Sequence, residues 1–119
     1  MDRPVTPSEA GVIRWLLDHA PVGDVSGYRL RPLEDLRVVG GCDCGCSSLF
    51  FGANEGHLRM IADASAVYSD GQEDLILWGR EGEPIWLEVV VYDPRTPHPF
   101  PEIANLRTWE QRGLELLER

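Results

Sequence analysis

A chain of 119 residues with 43% hydrophobic and 26% charged side chains has the size and composition of one globular domain with a core of its own. Its net charge of -9, from 20 acidic residues against 11 basic ones, repels polyanions, because affinity for DNA or RNA comes largely from neutralising phosphates. No apolar run approaches the roughly 20 residues of a bilayer crossing, so neither nucleic acid nor membrane is an expected partner.

The basic residues are all arginine, and only Arg29 and Arg31 lie close together in sequence, so no basic stripe forms. The acidity suits solubility and, more specifically, attraction to a basic protein partner. The opening residues MDRPVTPSEAG lack the charged-then-apolar order of a secretory signal. With three cysteines inside five residues, an arrangement unlike a disulfide framework, this points to a reducing cytoplasm.

Thr6-Pro7-Ser8-Glu9 reads as a helix start, with Thr6 as cap, Pro7 in the first turn and Glu9 closing a capping box. Apolar residues recur at Ala10, Ile13, Leu17 and Ala20, widened by Val12 and Leu16, until Pro21 stops the helix. Residues 21–35 mix Pro, Gly and charge and read as a connection with at most a short strand. Strand-like runs follow at Leu36–Val39 and Leu49–Phe51, then turn chemistry at Ala53–Gly56. The stretch His57–Tyr68 carries Ala62, Ala64 and Ala66 at alternate positions, one face of a further strand.

The strongest local signal is a hairpin of LILWGR and EPIWLEVVVY about a two-residue loop, Glu81-Gly82. Counting outward from that loop sets Arg80 opposite Glu83, Trp78 opposite Ile85, Ile76 opposite Leu87 and Asp74 opposite Val89. That mostly apolar face is expected on the core. The other pairs Leu77 with Trp86 and Leu75 with Glu88, a mixed surface, and the two tryptophans fall on opposite sides. DPRTPHPFPE is too rich in proline for a central strand and should run extended over the surface. A last helix begins near Thr108, where Thr108 and Gln111 form a second capping box.

The chemically loaded segment is Gly40-Gly41-Cys42-Asp43-Cys44-Gly45-Cys46. Cys42, Cys44 and Cys46 with His57 or His98 would supply the four ligands of a zinc site, His57 being the better candidate. Alternate residues of an extended strand lie ~6.6 Å apart, however, whereas sulfurs sharing one zinc lie within about 3.8 Å. Convergence needs a bend at Gly41 or Gly45, and the usual spacing of two to four residues between ligands is missing. Thiol catalysis is opposed by Asp43, whose charge raises the thiol pKa values. The plainer expectation is a compact bend with the thiols packed inward.

No nucleophile elbow or phosphate loop is present. His19 suits the end of the first helix, where its cation would meet the dipole, and His98 sits in the proline-rich run. The segments VVGGCDCGCSSLFF (38–51) and IWLEVVVYDPRTPHPFP (85–101) resemble a family of small bacterial proteins of unknown function. In that family a helix leads to a strand, a Cys-rich turn, an apolar strand and a proline-containing tail. Many members carry Pro directly after the third cysteine, where this chain has Ser47. The resemblance implies an order of elements and carries over no activity, cofactor or catalytic residue.

The expectation is therefore one α+β domain over residues 1–119: an N-terminal helix, an antiparallel meander of four or five strands, and a C-terminal helix. The expected role is non-enzymatic binding without a cofactor, with a basic protein as the possible partner. The alternative is a zinc or thiol-redox protein built on Cys42, Cys44, Cys46 and His57.

Overall fold

The structure, a computed structural model, describes residues 2–41, 47–69, 71–92 and 99–117. It is an α+β arrangement dominated by an antiparallel sheet. The strands are β1 (Arg3–Pro4), β2 (Arg37–Val38), β3 (Gly40–Gly41), β4 (Leu49–Phe50), β5 (Arg59–Tyr68), β6 (Gly71–Arg80), β7 (Glu83–Val91) and β8 (Leu106–Arg107). The helices are α1 (Pro7–His19), α2 (Ser26–Arg29) and α3 (Trp109–Leu117). β1 and β2 pair alone, while the main sheet has six strands in the order β3-β4-β7-β6-β5-β8. Only β5, β6 and β7 run as a meander; β4 joins the far side of β7 and β8 closes on β5.

Helix α1 starts as its sequence dictates. The Thr6 hydroxyl accepts from the Glu9 amide at 3.1 Å, and the Glu9 carboxylate accepts from the Thr6 amide at 2.9 Å. Arg3, on β1, adds two hydrogen bonds of 2.8 Å to the same carboxylate, tying the small sheet to the helix start. Val12, Ile13, Leu16 and Leu17 are fully buried against Ala62, Ala64 and Ala66 of β5. The three alanines keep that strand low, so the helix lies close on it. The same cluster takes in Leu75, Leu77, Leu87, Val89 and Leu106. The region 21–35, expected as a mere connection, forms α2 and a 3-10 turn at Leu33–Asp35, which bury Val25, Tyr28 and Leu33. Of the proline-rich run, 93–98 lie outside the described residues, whereas Phe100 packs on the core and Pro101 is buried in place of crossing the surface.

The hairpin turn is Glu81-Gly82, both at positive φ (52° and 81°), and Arg80 faces Glu83 as expected. The expected register holds for one more pair and then fails. Gly79 opposes Pro84, then Trp78 opposes Trp86, Leu77 opposes Leu87 and Leu75 opposes Val89. Ile85 is the extra residue of a bulge between Trp78 and Gly79. Two causes meet there. Pro84 has no N–H for the ladder, which confines proline to edges and bulges. Gly79 is also crowded: a Cβ on it would lie 2.7 Å from the Glu83 carbonyl oxygen and 2.8 Å from Tyr28 Cε1. The bulge shifts β7 by one residue, so the leucines and Val89 go to the core while Trp78 and Ile76 turn to the other side.

Leu77→Ala is expected to cost about 2–5 kcal/mol by leaving a cavity in a core that cannot fully collapse, and Trp78→Ala is expected to cost less. Urea unfolding of the two variants checks the order, which reverses if Trp78 faces the core. A second outcome concerns Glu9, whose carboxyl Arg3 holds below its ordinary value, aided by the Thr6 amide against the cost of burial. This stabilisation is complete above the unfolded value of about 4.3 and is lost as pH falls through the lower folded value. Glu9→Gln should therefore be less stable than wild type at neutral pH, with the difference vanishing in acid.

Candidate functional site

The bulge makes the second face of the sheet. Phe50 of β4 pairs with Trp86 of β7, and Trp86 with Trp78 of β6, which in turn pairs with Met60 of β5. The side chains stand in one row across four strands. Phe50 and Trp86 stack with centroids 5.3 Å apart and planes within 9°, and Trp86 and Trp78 stack at 6.2 Å and 19°. Such cross-strand aromatic pairs contribute roughly 0.5–1.5 kcal/mol beyond their buried area. The stack is placed by β4, which has two residues in the ladder but is extended by Ser48. The Ser48 hydroxyl accepts from the Val89 amide at 2.9 Å, doing with a side chain what the ladder does next to it.

Carboxylates border the row. The Trp78 indole donates to Glu88 Oε1 at 3.1 Å, which fixes both side chains on the outer face. Further along, Ser65 donates to Asp74 at 2.9 Å and Tyr92 donates to the other carboxylate oxygen of Asp74. Asp74 holds the Tyr92 proton in place and raises the phenol above its ordinary value. Asp63 lies on the same face, opposite Ile76. Burial pushes its carboxyl up and the nearby Asp74 charge adds to that, while a hydrogen bond from Trp109 works the other way. Arg112 of α3 bonds Ser65 at 3.2 Å and Gln72 at 2.6 Å, with its guanidinium over the Trp109 ring at 5.1 Å. The result is an aromatic row flanked by three carboxylates, with Arg112 at its β5 margin and Arg107 of β8 paired opposite Ser65.

Trp109 and Arg112 of α3 lie on this face at Asp63, Ser65 and Gln72, and beyond them its side chains on β4, β7 and the hairpin end of β6 are half-buried. Helix α1 packs on the inner side through β5, and α3 lies by β8. Phe50, Trp78, Trp86, Met60, Ile76 and Val90 all share this half-buried state. The Trp86 N–H is shielded from solvent and meets no acceptor among the described residues, a cost of roughly 1–3 kcal/mol. The sequence reading placed Trp78 and Trp86 on opposite faces because it counted the hairpin without a bulge. The one-residue insertion at Ile85 brings them together.

Of the candidate zinc ligands, only His57 lies among the described residues. Cys42, Cys44 and Cys46 lie outside the described residues, bracketed by Gly41 and Ser47, as does His98. His57 is exposed and lines a separate cleft with Arg59, Arg80, Asp24 and Tyr28. Among the described residues no group of three or more His, Cys, Asp or Glu side chains gathers as a metal site would require. His19 Nδ1 donates to the Trp15 carbonyl oxygen, 3.0 Å away, and its ring stacks on the Trp15 ring, a helix-end role. Among the described residues, no helix is long and apolar enough to cross a membrane.

No family model matches the chain. No curated protein and no solved structure matches it either. The site is therefore argued from its chemistry.

Because the raised carboxyl of Asp63 must ionise in a partly desolvated place, its contribution is favourable in acid and is lost as pH rises through its folded value. Asp63→Asn, which keeps an acceptor for Trp109, should be more stable than wild type at neutral pH and equal to it near pH 2, a comparison made by denaturant titration at the two pH values.

Proposed function

We propose that the protein is a non-enzymatic binding domain and that the open face of its sheet takes a basic protein partner. The observation that carries this is the stacked row Phe50–Trp86–Trp78 with Glu88 fixed beside it, on the half-buried part of the face beyond the α3 contacts at Asp63, Ser65 and Gln72. Tryptophan and tyrosine are the residues on which interfaces concentrate their energy, since rigid rings bury much area at low entropic cost. Held in a stack, these rings have already lost the rotamer freedom that binding would otherwise remove. Glu88 gives the open part of the face its sign. With the net charge of -9, it favours a cationic surface in encounter and disfavours an acidic one.

An aliphatic or aromatic side chain of the partner would seat on the row while arginine or lysine meets Glu88. Arginine suits best, because its planar guanidinium both stacks on rings and pairs with carboxylates. The reading is set in a reducing cytoplasm, where Cys42, Cys44 and Cys46 remain thiols. A zinc or thiol centre on those residues with His57 is the competing reading, and metal analysis of protein purified without chelator separates the two.

The test is a photo-reactive side chain placed at Ile76, on the open face, with a control at exposed Leu30. The proposal expects Ile76 alone to capture a defined protein of high isoelectric point. The purified pair should bind less tightly as salt rises, and Trp86→Ala or Glu88→Arg should weaken it by at least about 2 kcal/mol. Capture of acidic proteins only, no capture, or binding indifferent to Trp86 and Glu88 would overturn it.

A further inference from the structure

A second feature lies away from the aromatic face, in the cleft between α2 and the tip of the β6–β7 hairpin. It has a volume of about 460 Å³ and is lined by Asp24, Tyr28, His57, Arg59, Arg80 and Glu81, with backbone from Gly27, Gly79 and Gly82. Cavities of roughly 300–1,000 Å³ are the size of small-molecule sites.

The two arginines of this cleft form no ion pair among the described residues, a trait they share with Arg14 and Arg112. With 20 acidic residues against 11 arginines, carboxylate partners are plentiful, and Arg3, Arg29, Arg31 and Arg37 all take one. Arg59 and Arg80 instead turn their guanidinium groups to backbone carbonyls, Arg59 to Asp24 and Arg80 to Glu55 and Ala53. Those bonds orient the groups without cancelling their charge and leave further N–H donors on each. Arg59 is also braced over the Tyr28 ring, 6.0 Å from its centroid. Tyr28 can reach that place only because Gly79 has no side chain.

Two carboxylates share the cleft with the arginines. The Asp24 carboxylate is engaged by the Ser26 amide at 3.0 Å, which holds its carboxyl below the ordinary range and so keeps it ionised. Glu81 stands on the exposed hairpin tip. Together they bring the local charge close to neutral, which suits one oxyanion group and disfavours a polyanion. Tyr28 supplies an apolar floor and a hydroxyl, and His57 a ring nitrogen at the mouth.

We infer that this cleft is a binding site for a small ligand bearing a single carboxylate or phosphate group, held between Arg59 and Arg80 over Tyr28. The site is independent of the partner-binding face: neither arginine belongs to the aromatic row.

Amide chemical shifts during titration with inorganic phosphate, and in a second arm with benzoate, test the inference against sodium chloride at matched ionic strength. The expected result is saturable shifts confined to residues 24–28, 57–59 and 79–82 in at least one arm. The stronger arm names the group the site prefers. Arg59→Gln with Arg80→Gln, which keeps polar length without charge, should weaken binding by about tenfold or more, as loss of charge-assisted hydrogen bonds does. The folded state of that variant is read from the same spectra, and the single variants stand in if the double one unfolds. Shifts that never saturate, that spread over the surface in both arms, or that persist unchanged in the variants would overturn it.

Discussion

The one-residue bulge at Ile85 is the constraint on which the rest depends. A sheet side chain has a period of two, so an inserted residue exchanges the faces of everything beyond it. Here it sends Leu87 and Val89 of β7 to the side where Leu77 and Leu75 already face α1, and Trp86 to the side of Trp78. Without it, leucines and tryptophans would be mixed on both faces, and neither a dry core nor an aromatic row would form. The bulge is held by local chemistry at Pro84 and by the approach of Tyr28 to Gly79 from a different part of the chain. The same approach makes the floor of the Arg59–Arg80 cleft. Core, partner face and cleft thus share a single point of closure.

The two sites divide the work by chemistry. The outer face offers area, rigidity and negative charge, which are the attributes of a surface for another protein. The cleft brings two guanidinium groups with free donors together in a small volume, their charge balanced by Asp24 and Glu81; these are the attributes of a pocket for one anionic group. Elsewhere arginine is spent on structure: Arg3 secures the start of α1 through Glu9, and Arg31 reaches Glu83 at the hairpin.

What could be read early was what depends on neighbours in sequence. The capping boxes at Thr6 and Thr108, the buried stripe of α1, the alanine face of β5 and the Glu81-Gly82 turn all stand in the structure. Each is decided within a few residues, by a hydroxyl reaching a nearby amide or by side chains repeating at the period of one element. The short helix α2 was missed because a single turn has no periodicity to detect. Its reason to exist is the burial of Tyr28 against the hairpin.

The sequence alone determined the class of fold and the starts of two helices, because composition and local hydrogen bonding suffice for these. Tertiary structure decided which face of the hairpin is the core, that Trp78 stacks on Trp86, and that His57 meets Arg59 and Arg80. These outcomes rest on one inserted residue and on contacts between segments distant in sequence, where steric fit at Gly79 sets the register that hydrophobic alternation leaves open.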